Sequence, residues 1–322
     1  MKAWRQLGFW LPLAIIFIWG LAVLLVRQDT SRETAFTMLM FIGLASSLNI
    51  LLGYTGYVSF GHIVFFGMGG YTGFYLLSEQ NWPLVAAALA GGLVSSVIAW
   101  LVGSAVLRLR GAYFALATIG INEAARAFVN NFEPFGGATG MFVNFSVYER
   151  YGGAGEALWT TFTYLWIVTL AVLVVSYLVK HSRFGLGLLA IREDEDTAMV
   201  MGVKAPRAKT IAYMISAFAP GMIGTLYFFK NGNVEPGDAF QLHMSIEMLV
   251  MVMLGGMGTV MGPLVGAVTY QGLRGYLLTS PIFKSLHLAV AGFILLMIIL
   301  FVPTGAVGWV RSRFRGLRRV LE

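Results

Sequence analysis

The sequence predicts an all-α polytopic membrane protein, with residues 1–322 forming a single transmembrane domain. Of its 322 residues, 58% are hydrophobic and only 11% are charged, whereas a soluble domain carries roughly 25% charge. Apolar runs such as residues 7–26 and 162–179 approach or reach the ~20 residues that a helix needs to cross about 30 Å of hydrocarbon. The absence of cysteine excludes disulfides and thiolate chemistry.

Apolar segments predict ten membrane spans, including short and broken helices. They fall at about 8–26, 35–52, 58–77, 84–107, 112–130, 161–179, 209–229, 240–254, 260–279 and 285–303. Fusing the eighth and ninth segments would give nine spans instead. Ten spans place fifteen Lys and Arg residues on the side of both termini and five on the other side. Because basic residues collect in cytoplasmic loops, we expect ten spans with both termini and the basic tail, residues 304–322, in the cytoplasm.

Two glycine-rich stretches, residues 51–62 and 254–263, interrupt the apolar segments. Non-helical backbone at membrane depth persists only where protein or a water-filled cavity covers it. Paired broken helices are typical of transporters with a central pathway. Alternatively, the glycines only allow tight helix packing. The predicted helix breaks are at Gly53, Gly56, Gly61, Gly255, Gly256 and Gly258.

A polar stretch of about thirty residues, 180–209, contains the acidic run Glu193-Asp194-Glu195-Asp196 and is called here the acidic loop. We expect one short helix to begin at Ser182 or Arg183 and run through Ile191. A second helix would begin at the acidic run, because the helix dipole favours negative charge in the first turn. Gly202 suits its C-terminal end. Such a loop could dock a cytoplasmic partner or lie on the membrane surface as a connector.

Several motifs carry a family resemblance. Asp196-Thr197-Ala198 and Gly202 spell D-T-A-x-x-x-G, which is similar to the E-A-A-x-x-x-G loop by which permeases of ATP-driven importers engage their ATPases. Three stretches, 48–72, 108–126 and 245–267, resemble the permeases of branched-chain amino-acid ABC importers, specifically the LivM-type subunit. The resemblance covers about residues 35–305. It departs after Gly202, where an expected Ile-x-Leu-Pro is absent and YMIS stands near its place.

This resemblance implies the permease subunit of an importer in the bacterial inner membrane that moves branched-chain amino acids by alternating access. The implied partners are a second permease in a heterodimer, two ATPase subunits and a periplasmic or extracellular solute-binding protein. The acidic loop would couple to the ATPases through Glu195, Asp196, Thr197, Ala198 and Gly202. The chain has no G-x-x-x-x-G-K-[ST] phosphate loop, so ATP would bind the partner subunits and no cofactor is expected here. Urea or amides remain alternative solutes.

Polar side chains within the spans are the candidates for a translocation path, because ionisable groups in hydrocarbon are costly and often functional. Glu123 and Arg126 are three residues apart and can pair across one helical turn, either lining the path or only fixing helix packing. Glu247 is expected near the outer interface. The polar cluster at the first break would contact solute or satisfy freed backbone groups. The candidates are Asn49, Tyr54, Thr55, Ser59, His62, Asn122, Glu123, Arg126 and Glu247.

Two other functional classes compete with this interpretation. An ion-driven secondary transporter would also use broken helices, with Glu123 and Glu247 as ion ligands. An enzyme is disfavoured, because the chain has no H-E-x-x-H pair, no thiol and no evident Ser-His-acid constellation. Four scattered histidines predict no metal centre and no catalytic residues. The net charge of +7 fits basic cytoplasmic loops beside the bilayer rather than nucleic-acid binding.

Overall fold

The computed structural model describes residues 7–279 together with 289, 292–293, 296–297 and 305–308. Within these residues the chain is almost entirely helical, which confirms the predicted class. The two short strands, β1 (Met141–Phe142) and β2 (Asn233–Val234), pair antiparallel. The helices are α1 (Leu7–Val26), α2 (Asp29–Thr55), α3 (Ile63–Ser78), α4 (Leu84–Val106), α5 (Ala112–Asn130), α6 (Phe145–Glu149), α7 (Ala154–His181), α8 (Arg183–Glu193), α9 (Glu195–Val200), α10 (Ala205–Asn231), α11 (Pro236–Ala239), α12 (Leu242–Gly255) and α13 (Met261–Thr279).

Six helical segments of the described chain are long and apolar enough to cross a membrane: 9–26, 29–55, 84–106, 154–181, 205–231 and 236–255. Helix α3 is a shorter apolar helix. Helices α2 and α7 begin at Asp29 and Ala154, earlier than predicted, because their first turns are polar and were excluded from the apolar runs. The tenth predicted segment, 285–303, and the tail, 304–322, lie almost wholly outside the described residues.

The bundle has two distinct ends. At the first, the acidic loop meets the α4–α5 turn, where Arg110 Nη2 lies 2.7 Å from Asp196 Oδ1. At the second, β1 pairs with β2, and Lys230 Nζ lies 2.6 Å from Glu33 Oε2. We call these the acidic-loop end and the ribbon end. These contacts place the acidic loop and the α4–α5 turn at one end of the bundle and the strands at the other, which correspond to the two faces of the membrane.

Helix α2 forms the centre of the bundle, and nearly all its residues from Ala35 to Thr55 are buried. Helix α10 packs against α2, and α3 and α4 pack against α10 and against each other through small residues, which allow close backbone approach in a membrane. A Cβ atom at Gly69 would collide with Gly221, for example. Gly69 and its neighbours in α3 therefore serve tight packing.

Candidate functional site

The first helix break is a non-helical segment, residues 56–62, between α2 and α3. Gly56 ends α2 with φ +77°, a conformation in which glycine is favoured. The Phe60 N–H donates to Thr118 Oγ1 of α5 (3.1 Å) and the Ile63 N–H donates to Ser245 Oγ of α12 (3.2 Å). Gly61 lies tightly against the Thr118 carbonyl. Neighbouring helices thus satisfy backbone groups that hydrocarbon could not.

The second break, residues 256–260, lies directly against the first. The Asn49 side chain on α2 joins them, because its Nδ2 donates to the Thr259 carbonyl (3.0 Å) and its Oδ1 accepts from the Gly258 N–H (2.9 Å). A Cβ atom at Gly53 would lie 2.7 Å from the Gly258 nitrogen. Gly53 was predicted to be part of a break, but it lies inside α2, where it permits this close approach.

The remaining break glycines lie at the turn between α12 and α13. Gly255 is the last residue of α12, and a side chain there would collide with Gly262. Gly256 and Gly258 follow with φ +127° and +78°, values that L-residues with a side chain rarely adopt. The predicted second break is therefore a turn built on positive φ, and it is covered by α2.

The acidic loop is ordered by two helix caps. Ser182 Oγ accepts from the Gly185 N–H (3.0 Å) at the start of α8, and Asp194 Oδ1 accepts from the Thr197 N–H (2.7 Å) at the start of α9. These bonds to Thr197 hold the pKa of the Asp194 carboxyl below its usual value. Both helices predicted in the loop are thereby confirmed, and their caps are the local reason that they form.

A charge cluster fastens α9 to the bundle. Lys209 Nζ, almost fully buried, contacts Glu195 Oε1 (2.6 Å), the Tyr57 hydroxyl (2.7 Å) and the Leu107 carbonyl (2.8 Å). The Tyr57 hydroxyl donates to Glu195 Oε2 (2.8 Å). Arg110 adds two bonds to Asp196 and holds the pKa of that carboxyl low. The cluster therefore links the acidic run to the first helix break through Tyr57.

Arg192 makes a second link between the acidic loop and the helix breaks. It lies near the end of α8, and its Nη1 donates to the Gly53 carbonyl (2.8 Å). The same nitrogen lies beside Gly258, because a Cβ atom added to Gly258 would lie only 2.7 Å from it. One side chain of the acidic loop thus contacts the junction at which the two breaks meet.

The residues predicted to couple to an ATPase face different ways. Ala198 is only 3% exposed and packs against a small apolar cluster that includes Tyr54 and Leu188. Met199, Val200 and Met201, by contrast, are 40%, 86% and 81% exposed. We call these three residues the α9 tip. Ala198 therefore anchors the helix, and the outward surface of the loop is the α9 tip.

Gly202 follows the α9 tip with φ +91°, and no neighbour lies within 4 Å of the position that a Cβ atom would take. Backbone conformation, not lack of space, is the reason for a glycine at this position. Its left-handed turn redirects the chain, and α10 then begins at Ala205 with Pro206 in its first turn. Proline is well tolerated in the first turn of a helix, because the N–H it lacks has no partner within the helix there.

The polar side chains of several predicted path residues form hydrogen bonds to other protein groups. The Tyr54 hydroxyl lies 2.8 Å from Ser176 Oγ of α7, and Thr55 Oγ1 donates to the Leu51 carbonyl within α2 (2.7 Å). Asn122 Nδ2 donates to the Phe240 carbonyl (2.9 Å). With Asn49, these side chains bond protein groups, and a role in a solute path stays a prediction.

Ser59 and His62 are buried at the first break, beside α10. The His62 ring lies 6.5 Å from the Tyr213 ring, measured between centroids. It also lies close to the Ser216 carbonyl. Pro220, inside α10, lacks the N–H that would otherwise bond this carbonyl. The proline therefore leaves an acceptor open on the face of α10 that His62 approaches.

The ionisable path candidates lie in two different environments, exposed on α5 and buried on α12. Glu123 and Arg126 are both exposed on α5, and no ion pair joins them in the part of the chain described. Glu247 is 1% exposed and lies 3.1 Å from Arg274 Nη1 of α13; its position near the outer interface stays a prediction. A buried carboxylate requires a paired cation, so this ion pair fastens α12 to α13.

Sequence reasoning missed Tyr57, Arg192 and Lys209 as members of the site. Lys209 and Arg192 were counted only as cytoplasmic bases, and Tyr57 only as part of the first break. A weak signal existed, because Lys209 directly precedes an apolar run and a lysine there needs a partner if it is buried. Nothing local in the sequence identified Glu195 as that partner.

An α-helical membrane bundle whose two helix breaks meet at its centre has the architecture of a membrane transporter. The chain matches the family model described as "Branched-chain amino acid transport system / permease component" over residues 31–301, and it belongs to that family. It is accordingly a permease component and a multi-pass protein of the inner membrane. The predicted family resemblance is confirmed.

Similar proteins support this assignment. The chain is 30% identical to the high-affinity branched-chain amino acid transport system permease protein LivM of Salmonella typhimurium, over 88% of this chain and 72% of that protein. It is 29% identical to the Escherichia coli K12 LivM, over 90% and 73%. The E. coli K12 LivH permease is 25% identical, over 82% and 90%. No solved structure matches the chain.

Proposed function

We propose that this chain is the membrane-spanning subunit of an ATP-driven importer that moves branched-chain amino acids by alternating access. Two ATPase subunits would dock at the acidic-loop end, and a solute-binding protein would deliver substrate at the ribbon end. The similar LivM and LivH proteins are permeases of branched-chain amino acid transport systems. The sequence contains no phosphate-binding loop, so in this proposal ATP binds the ATPase subunits.

The α9 tip carries this proposal. Its exposed apolar side chains stand on a helix that Lys209, Glu195 and Asp194 fix to the bundle. A rigidly mounted tip of exposed apolar side chains is suited to burial in a groove of a partner protein. Force applied there would reach the helix breaks through Tyr57 and Arg192, which contact the acidic loop and the breaks directly.

The membrane orientation follows from charge. The acidic-loop end carries Arg108, Arg110, Arg183 and Lys204, which favours the cytoplasmic face. We therefore propose that the acidic-loop end and both termini face the cytoplasm and that the chain crosses the membrane ten times, as predicted. The ribbon end would face outward, where acidic residues such as Glu149 and Glu235 offer complementary charge to a basic binding protein.

The exposed face of α5 supports a second permease subunit. Glu123 stands near the middle of this 19-residue helix, with Arg126 one turn further on. Ionisable groups at that depth face protein or a water-filled cavity, since exposure to lipid is costly. Gly120 and Ala124 on the same face allow close approach of another helix. We propose that a LivH-like partner covers this face and that the solute path runs beside it.

The alternative of ion-driven transport is weaker in this structure. Of its two candidate ligands, Glu247 is already paired with Arg274, which leaves Glu123 as the remaining candidate. Branched-chain substrates are proposed from the named relatives, and urea or amides are the competing solutes. Uptake assays with leucine, valine and urea would separate these possibilities.

The decisive experiment purifies the tagged chain from its host membrane in mild detergent and identifies co-purifying proteins by mass spectrometry. We expect P-loop ATPases with the unmodified chain and their loss in Val200→Asp. Phe142→Asp, an exposed apolar position at the ribbon end, is the matched control and should retain the ATPases. If no preparation contains an ATPase, and uptake collapses with an uncoupler but survives ATP depletion, the ion-driven alternative replaces this proposal.

A further inference from the structure

A valley follows one face of α10 on the outer surface of the bundle, with α4 beside it at the acidic-loop end and both α4 and α7 beside it deeper in the membrane. Its α10 side is one stripe of residues spaced 4, 3, 4 and 4 apart, which places them on a single helical face. Its α4 side is a similar stripe. The α10 stripe is Arg207, Ile211, Met214, Phe218 and Met222, and the α4 stripe is Leu89, Ser96, Trp100, Gly103 and Leu107.

Two cavities occupy this valley, one after the other. The first, about 710 Å³, lies at the acidic-loop end and is bounded by Arg108, Arg207 and Trp100. The second, about 530 Å³, lies deeper in the membrane, where α7 adds apolar side chains such as Ile167. Met214 lines both cavities. The valley is therefore basic at one end and apolar along the rest of its length.

The charge at the basic end is not compensated within the described residues. Lys209 and Arg110 are matched by Glu195 and Asp196. Arg108 and Arg207 are exposed, and neither has a carboxylate within salt-bridge distance in the part of the chain that the structure describes. Two guanidinium groups thus stand at the mouth of an apolar groove, which attracts an anion joined to an apolar tail.

The length of the valley matches one leaflet of a bilayer. The α10 stripe runs from Arg207 to Met222, or about 22 Å at roughly 1.5 Å per residue. Half the hydrocarbon core is about 15 Å thick, and the headgroup layer adds about 6 Å on each side. The basic end therefore falls at headgroup depth while the second cavity lies among acyl chains.

We propose that this valley binds an anionic phospholipid, with its phosphate between Arg108 and Arg207 and an acyl chain along Met214 and Phe218. The lipid comes from the leaflet at the acidic-loop end, which is the cytoplasmic leaflet in the orientation proposed above. Glu195 and Met199 of α9 line the first cavity, so the bound lipid lies against the base of the α9 tip. This site is separate from the solute path at α5.

The test measures lipid retained by the purified complex with its partner subunits, using native mass spectrometry and phosphatidylglycerol as the probe. We expect one phosphatidylglycerol per chain to survive delipidation in the unmodified protein and in Arg183→Gln, an exposed base at the same end that lines neither of the two cavities. The double variant Arg108→Gln/Arg207→Gln should bind at least tenfold more weakly. Met214→Trp should displace the lipid while leaving both charges in place.

Three outcomes would overturn the proposal, given variants that keep the melting temperature of the unmodified protein. Equal retention of phosphatidylcholine would show that charge does not select the lipid. Displacement by soluble glycerol phosphate, or unchanged binding in Met214→Trp, would show a free anion site without a role for the apolar groove. Retention by the isolated chain but not by the complex would show that a partner protein covers Arg108 and Arg207.

Discussion

Replacing Lys209 with methionine should release α9 from the bundle. Methionine keeps an apolar body of similar length but removes the charge that contacts Glu195 Oε1 at 2.6 Å. Breaking a buried pair by removing one partner costs about 3–5 kcal/mol. We use the lower value, about 3 kcal/mol, because the Tyr57 hydroxyl still bonds Glu195. This corresponds to roughly a 100-fold larger population with α9 detached.

Hydrogen exchange of the reconstituted complex measures this detachment directly. In Lys209→Met, the amides of residues 197–203 should exchange faster by up to roughly 100-fold, while the buried middle of α10 is unchanged. Arg110→Gln is the matched control at the same cluster. Its partner Asp196 is exposed, and exposed ion pairs contribute little, so exchange should change only slightly.

A double variant separates the ion pair from simple packing. Lys209→Met combined with Glu195→Gln removes the unpaired buried carboxylate and should recover much of the lost protection. If Lys209→Met exchanges like the unmodified protein, or if the double variant is only as stable as additive losses predict, the ion pair does not anchor α9. The proposed route from α9 to the first break would then also fail.

Three further predictions concern the breaks and the loop. Gly53→Ala forces a methyl group against the backbone of the second break and should lower stability in thermal melting by about 1–3 kcal/mol. Gly155→Ala in α7, where nothing lies within 4 Å of the added Cβ atom, is the control and should not lower it. Equal melting of the two variants would contradict the contact. Gly202→Ala should cost about 1–2 kcal/mol through the positive φ at this position alone, and proteases should cut faster after the α9 tip. Gly202→Asn should be milder. Equal cleavage of the two variants would refute the backbone argument. The pKa of Asp196 is lowered by Arg110. The bond between them therefore stabilises the folded loop fully above about pH 4, the ordinary value of an aspartate. This stabilisation is lost as the pH falls through the pKa of Asp196 in the folded protein. Loop proteolysis should therefore be constant between pH 8 and 5, and a change in that interval would count against the pairing.

Local signals in the sequence were sufficient for the helices. Apolar runs of membrane length located the main helices, and Ser182 and Asp194 correctly marked the starts of α8 and α9. Such signals act within a few residues, so a single sequence contains them. The helix starts at Asp29 and Ala154 were missed because headgroup-depth turns are polar and resemble loops.

The site depends on contacts that sequence spacing does not encode. Asn49 bonds Gly258 across 209 positions, and the register of two packed helices decides that contact. Glu123 and Arg126 were expected to pair, but an exposed pair three residues apart gains only about 0.2–0.5 kcal/mol, too little to hold two flexible side chains together. Glu247 found a partner on the neighbouring helix instead, as burial required.

The bridge from Asn49 to the second break also has a mechanical consequence. It joins α2 to the α12–α13 turn, and Arg192 adds α8 to the same body. Helix α2 runs unbroken for 27 residues, about 40 Å, from the ribbon end to the acidic-loop end. A tilt of roughly 10° would displace its far end by roughly 7 Å over that length. The central helix can therefore act as a lever: a small rotation at one face of the membrane displaces its end at the other face by about the width of an amino acid.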